Sequence, residues 1–224
     1  MNASEAVVVN AAEPGRDCPL CPRLAAFRKA NRKREPDWFN APVPNFGPRN
    51  ARLLIVGLAP GLKGANRTGR PFTGDFAGDL LYGTLLEFGF AKGKFEARID
   101  DTLKLVDARI ANAVRCVPPE NKPTPAEIRT CNRFLAPTIA EMPRLAAIVA
   151  LGRVAHDAVA LALNHRRARI PFAHGAVHKA DGRPTLFDSY HCSRYNTNTG
   201  VLTPTMFRAV FRNVRKHLNG LNQR

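Results

Sequence analysis

Unbroken apolar runs alternate with amphipathic ones along the middle of the chain. Leu53-Leu54-Ile55-Val56-Gly57 has no polar break and is closed by glycine, which predicts a strand buried on both faces. The stretches 109–116 (RIANAVRC), 145–152 (LAAIVALG) and 184–191 (PTLFDSYH) predict three more strands. Between them the apolar positions take helical spacing. Phe76, Leu80, Leu81, Thr84, Leu85 and Phe88 share one face of a helix that starts near Asp75. KPTPAEI carries a helix start, with Thr124 as N-cap, Pro125 in the first position and Glu127 in capping-box register. RVAHDAVALAL supplies the helix after the third strand, and Thr203-Pro204 opens a last one through Phe207, Val210, Phe211 and Val214. Near the N-terminus, PRLAAFRKANRKR predicts a helix with Leu24 and Phe27 inward and Arg28, Lys29, Arg32, Lys33 and Arg34 over the rest.

Strands alternating with helices predict an α/β layer structure around a mainly parallel central sheet. Sites in such sheets lie beyond the carboxyl ends of the strands, which here means the segments 58–75, 116–124 and 191–200. Residues 1–17, broken by Pro14 and Gly15, predict a flexible arm, and residues 18–224 a single domain. The stretch 35–50 holds four prolines and predicts an extended connection.

Composition narrows the class. The chain has 224 residues, 45% of them hydrophobic, enough for a core and against wholesale disorder. No apolar run approaches the roughly 18 residues of a membrane span. The first residues lack a basic segment followed by an apolar core, so no secretory signal is expected and the expected compartment is the cytoplasm. With 34 Lys+Arg against 18 Asp+Glu the formal net charge is +16, which predicts a polyanionic partner, nucleic acid first. Charge alone does not separate a DNA enzyme from an RNA-binding protein.

Five cysteines, an odd number, argue against a disulfide framework. Cys18 and Cys21 form a C-x2-C pair, Cys116 follows the second strand, and Cys131 lies on the next helix. Four soft thiolates can hold zinc or an iron–sulfur cluster; one short pair with two scattered cysteines suits the cluster better. The alternative is that Cys116 and Cys131 are small core hydrophobes. Cys192 is the spare. Its neighbour His191 suggests a dyad, but adjacent strand residues point to opposite faces, which leaves Cys192 to packing.

Three motifs sharpen the picture: GLAPGLKGANRTGRPFTGD (57–75), NAVRCVPPENKPTP (112–125) and HCSRYNTNTG (191–200). Together they resemble the iron–sulfur uracil-DNA glycosylases, the family 5 or type b branch in particular, from about Cys18 to the last helix. The resemblance implies a four-stranded parallel sheet flanked by helices and a [4Fe-4S] cluster on Cys18, Cys21, Cys116 and Cys131. Most branches of that superfamily place a polar residue after the first strand; here Ala59 stands there, as in type b, and the catalytic carboxylate is implied to be Asp75. Capping of the following helix is the competing role for Asp75. The resemblance further implies His191 as the donor to the departing base, Phe72 as the stacking aromatic, Asn112 as the amide that reads the base edge, and Asn121 as a loop residue linked to catalysis. Gly57 and Ala59 join the base-binding wall. Core packing, turn roles and a structural histidine are the ordinary alternatives for these positions.

Ser193, Arg194 and Tyr195 match the loop that enters DNA beside the flipped base, with a polar surface turn as the alternative. Lys63, Arg67 and Arg70 are the cations of the first loop, and Arg67 is assigned to DNA. The basic groups 28–34 and 208–216 are expected to be solvated faces that also meet phosphates. The resulting expectation is a monomeric, monofunctional DNA glycosylase that excises uracil, and hypoxanthine through a wide pocket, to initiate base excision repair. The alternative is a non-catalytic nucleic-acid-binding protein on the same fold.

Overall fold

The computed structural model describes residues 12–179 and 182–221. Its centre is a sheet in the order β4-β1-β5-β7-β6. Strands β1 (Leu53–Gly57), β4 (Ala108–Asn112), β5 (Ala147–Leu151) and β7 (Thr185–Ser189) are parallel and buried at every position. The four-stranded parallel core is therefore as expected. A fifth strand, β6 (Val177–His178), adds antiparallel to β7 at the edge. Two residues are too few to show an alternating pattern in sequence. A separate two-stranded ribbon pairs β2 (Ala91–Lys92) with β3 (Lys104–Leu105).

The sheet buries both faces because its strands alternate between two cores. Leu53 and Ile55 face a cluster with Leu81, Leu85, Phe207 and Phe211, from α3 (Phe76–Glu87) and α7 (Pro204–Leu221). Leu54 and Val56 face Leu135, Ala155 and Val159, from α4 (Pro125–Ala140) and α5 (Arg153–Ala162). Helix α4 starts as the sequence predicts: Thr124 accepts from the Glu127 amide and Glu127 returns the bond to the Thr124 amide. A third cluster packs Leu24, of α1 (Pro22–Arg34), on Val114, Cys116, Cys131 and Phe134.

Four expectations are corrected. The second strand ends at Asn112, not Cys116: the amides of Ala113 and Val114 still reach the Gly57 and Leu58 carbonyls, and the chain then bends toward α1. The fourth ends at Ser189, which frees Tyr190 and His191 from the ladder. Arg28 is buried rather than solvated. Of the expected arm, residues 1–11 lie outside the described residues, but 12–17 are bound. Ala12 is buried, with its carbonyl on the Arg115 guanidinium, and Glu13 pairs with Arg115 and Arg109. No helix among the described residues is long and apolar enough to cross a membrane.

Candidate active site

The register of the parallel strands decides what meets at their carboxyl ends. Gly57 of β1 lies beside Asn112 of β4, and Leu151 of β5 beside Ser189 of β7. Beyond these ends opens a cavity of about 490 Å3. Ala59, Phe72, Asp75, Asn112, Asn121, His191, Ser193 and Arg194, all expected at the site, line it together with Leu58 and Phe76.

Asp75 stands at the start of α3, yet its side chain makes no hydrogen bond to that helix, so it does not cap α3. Its carboxylate turns back toward the short helix α2 (Ala65–Thr68) and accepts a long bond, 3.4 Å, from the Ala65 amide. Two glycines make this possible. A Cβ on Gly64 would lie 1.9 Å from the Asp75 carboxyl carbon, and one on Gly61 2.5 Å from Oδ1. Burial raises the Asp75 pKa, opposed by the Ala65 amide and the nearby charge of exposed Arg67.

Phe72 sits in left-handed backbone, φ 54°, a strained conformation for a non-glycine residue. Its surroundings hold it there. The Tyr82 hydroxyl donates to the Pro71 carbonyl at 2.6 Å. Arg70 forms a two-pronged ion pair with Asp101 at 2.7–2.8 Å and donates to Thr73 Oγ1 and the Arg98 carbonyl. The guanidinium lies among the rings of Phe46, Tyr82 and Phe95. Arg70 is thus a buried scaffold residue and not the free loop cation expected. Gly78 permits the close approach of α3, because a Cβ there would lie 2.0 Å from the Phe72 carbonyl oxygen.

Gly57 is set behind this wall: a Cβ there would meet Asn112 Oδ1 at 2.5 Å and the Phe72 ring at 2.7 Å. Asn112 is 3% exposed, and its Oδ1 has no hydrogen-bond partner among the described residues. Such an acceptor costs about 1–3 kcal/mol unless something donates to it. The His191 ring lies stacked 6.1 Å from Phe72, and its backbone carbonyl accepts from Asn196 Nδ2. Burial alone lowers the His191 pKa to about 4, which keeps the imidazole neutral at physiological pH. Asn121, in a 3-10 turn over Pro119–Asn121, has φ 57°. At the mouth, Ser193 caps α6 (Arg194–Asn198). Arg194 lies over the Phe76 ring, and Tyr195 is 73% exposed. A cavity that offers an aromatic face, a neutral imidazole, an amide and a carboxylate suits cleavage of a bond that leaves an anionic heterocycle.

Sequence reasoning missed Arg70, Asp101, Tyr82 and the glycines 61, 64 and 78 as parts of this wall. Only the closed approaches of the folded chain reveal them.

Cys18, Cys21, Cys116 and Cys131 line one small cavity between α1 and α4, and Cys192 is apart, fully buried with its sulfur toward the Ala77 carbonyl. Arg28 donates to Cys116 Sγ and the Arg115 amide to Cys131 Sγ, both at 3.3 Å. Burial pushes these thiols up to about 11 and about 12. A thiol-only donor set with donors aimed at its sulfurs fits a thiolate-ligated metal group, whose charge would reverse that preference for the proton. The Arg23–Glu127 ion pair ties α1 to α4 beside it.

Residues 44–215 match the family model of the uracil DNA glycosylase superfamily. The chain is 47% identical over 210 residues to a type-5 uracil-DNA glycosylase of Thermus thermophilus, covering 91% of this chain and 94% of that one. It is 42% identical over 208 residues to the type-5 uracil-DNA glycosylase of Mycobacterium tuberculosis, covering 89% and 77%. It is 38% identical over 200 residues to that of Pyrobaculum aerophilum, covering 88% and 87%. A parallel sheet with its cavity at the carboxyl ends, matched over most of the chain by these relatives, places the protein in the uracil DNA glycosylase superfamily.

Proposed function

We infer that this protein is a monofunctional uracil-DNA glycosylase of base excision repair, hydrolysing the N-glycosidic bond with water. The observation that carries the reading is Asn112: a buried amide with an unpartnered acceptor, beside an aromatic ring and in one cavity with a half-buried carboxylate. An amide offers both donor and acceptor, the pair needed for the imide edge of uracil.

The target nucleotide leaves the stack and enters the cavity. Phe72 stacks on the base and Asn112 reads its edge. As the C1′–N bond breaks, its electron pair goes to the base and positive charge develops on the sugar. Neutral His191 donates a hydrogen bond to the base oxygen that gains the charge. The Asp75 carboxylate stabilises the cationic sugar and orients the water whose oxygen bonds to C1′; the proton released is taken up by the carboxylate and passes to solvent. Asn121 also lines the cavity and helps position that water. Tyr195 and Arg194 enter the stack beside the extruded base, and Arg67 meets backbone phosphate. Each phosphate neutralised steepens the salt dependence by roughly 0.9 log unit per log unit of salt on duplex DNA. The cavity accepts hypoxanthine as a second base.

Cys18, Cys21, Cys116 and Cys131 would hold a [4Fe-4S] cluster, and the protein acts as a monomer among cytoplasmic DNA. Its role would be structural: bound there, it would tie Cys18 and Cys21, before α1, to Cys131 on α4, and the hydrolysis would need nothing from it. Iron bound by purified protein, absent from a Cys131→Ser variant, is the expected result, and a colourless protein with stoichiometric zinc would refute it.

The test of the activity is release of free uracil from a uracil-containing oligonucleotide, leaving an alkali-sensitive site. No release by purified, metal-loaded protein would leave the non-catalytic reading, with Ala59, two residues past β1, in place of a polar residue.

A further inference from the structure

Asp188, on β7, is buried with both carboxylate oxygens facing imidazoles. Oδ1 lies 2.8 Å from Nδ1 of His156, on α5, and Oδ2 lies 2.9 Å from Nε2 of His178, on β6. One nitrogen from each ring and one carboxylate oxygen fall within 4.8 Å of one another. We propose that His156, His178 and Asp188 bind one divalent cation of the zinc class, at a site separate from both the base cavity and the cysteines.

Three features carry this. An ionised carboxylate offers about four lone-pair positions, and among the described residues only the two imidazoles reach this one. A buried carboxylate so thinly served gains more from a dication than from two hydrogen bonds. Second, each ring turns one nitrogen to the same carboxylate, so an ion placed among them would take one lone pair from each residue. Third, two nitrogens and one oxygen are a borderline donor set. Bonds of about 2.0–2.1 Å put neighbouring ligand atoms about 2.9–3.4 Å apart, and the three atoms here, within 4.8 Å of one another, need only small turns of the two rings to close on an ion. The His178 side chain, 13% exposed, offers the way in.

The ligands come from α5, β6 and β7, so the ion staples the edge strand to the sheet. The strap leading into β6 carries His174, whose Nδ1 accepts from the Tyr190 amide at 3.1 Å, one residue before His191. The site therefore supports the cavity wall from behind without touching substrate.

Equilibrium dialysis of full-length wild type, His156→Ala and His178→Ala against zinc tests this. Wild type is expected to bind one equivalent more than either variant, whatever the cysteines hold. Zinc is also expected to raise the Tm of wild type by several degrees and that of His178→Ala by less, since ligand binding to the folded state alone stabilises it. His178 lies on a two-residue edge strand, so this variant keeps the test open if His156→Ala fails to fold. Equal zinc stoichiometry and equal Tm shifts would overturn the site and leave a proton-bonded triad.

Discussion

In the cysteine pocket the two deepest sulfurs, Cys116 and Cys131, each accept a hydrogen bond, from Arg28 and from the Arg115 amide. In the base cavity Asn112 Oδ1 accepts none, and Asp75 accepts one long bond from Ala65. The two regions are neighbours: Ala59 lines the cavity and packs against the cysteine cluster. Those two sulfurs are thus served by donors, although Arg115 Nε beside them finds no partner among the described residues, and the two cavity groups are held short of partners. Groups that must act on a ligand are kept from bonding to the protein, and the cost is carried by the wall behind them. Arg70, Asp101, Tyr82 and Gly78 form that wall: they meet Phe72 and its backbone neighbours, and the Gly78 amide donates to the Asp75 carbonyl.

The sharpest way to break the contrast is to unsaturate the wall. Asp101→Asn leaves the Arg70 charge buried without its partner, a loss of about 3–5 kcal/mol, or about 6–20 °C in Tm. The Arg70 guanidinium holds the Asp101 carboxyl down at about 2. The ion pair's contribution is therefore full at neutral pH and is lost as pH falls from the ordinary carboxylate value through about 2. Thermal melts of wild type and variant converging in acid would bear this out.

In the cysteine pocket, Arg28→Gln removes the charged guanidinium that donates to Cys116 and is expected to cost about 1.5–3 kcal/mol of stability. Bound iron should be lost faster to a chelator, while excision by protein that still holds its iron stays at the wild-type rate. A slowed rate at full iron loading would erase the boundary between the regions.

Asn112→Ala tests the opposite property. Uracil excision should slow about tenfold, roughly 1.4 kcal/mol of barrier, without a fall in Tm, because the lost acceptor has no hydrogen-bond partner among the described residues. A lower Tm with unchanged excision would make Asn112 an ordinary structural amide.

The smallest effect is on pH. His191 stays neutral down to about 4, whereas burial raises the Asp75 pKa. The rate should be flat through neutral pH and fall on the acid side as Asp75 takes up its proton, a limb missing from the residual activity of Asp75→Asn.

Much of this was legible in the chain. Apolar runs mark β1 and β5, the stretches 109–116 and 184–191 mark β4 and β7 with ends set too far on, Thr124 and Glu127 mark a helix start, and eight residues singled out by three motifs line one cavity. What stayed hidden depends on distant pairing. Arg28 looks solvated among Ala, Arg and Lys until a sulfur 88 positions away is brought to it. Arg70 looks like a loop cation until Asp101 meets it, 31 positions on. Arg215, in a basic run, donates to the Phe88 carbonyl and covers the Phe90 ring, 3.8 Å from its centre. His156, His178 and Asp188 sit on three elements, one of them two residues long, with no spacing to link them. Asp75 at the head of a helix has the sequence of a cap, and only Gly61 and Gly64 turn it elsewhere.

Asp75 is where the account is most exposed. Because burial raises its pKa, the folded state holds the proton more tightly than the unfolded chain does. Stability therefore rises as pH falls through that window, and at neutral pH the cost of the buried charge is fully present. The decisive measurement is single-turnover release of uracil by wild type and Asp75→Asn, paired with Tm at neutral pH. The account predicts excision slowed at least about tenfold with Tm equal or higher. An unchanged rate with a lowered Tm would contradict it and return Asp75 to a structural role.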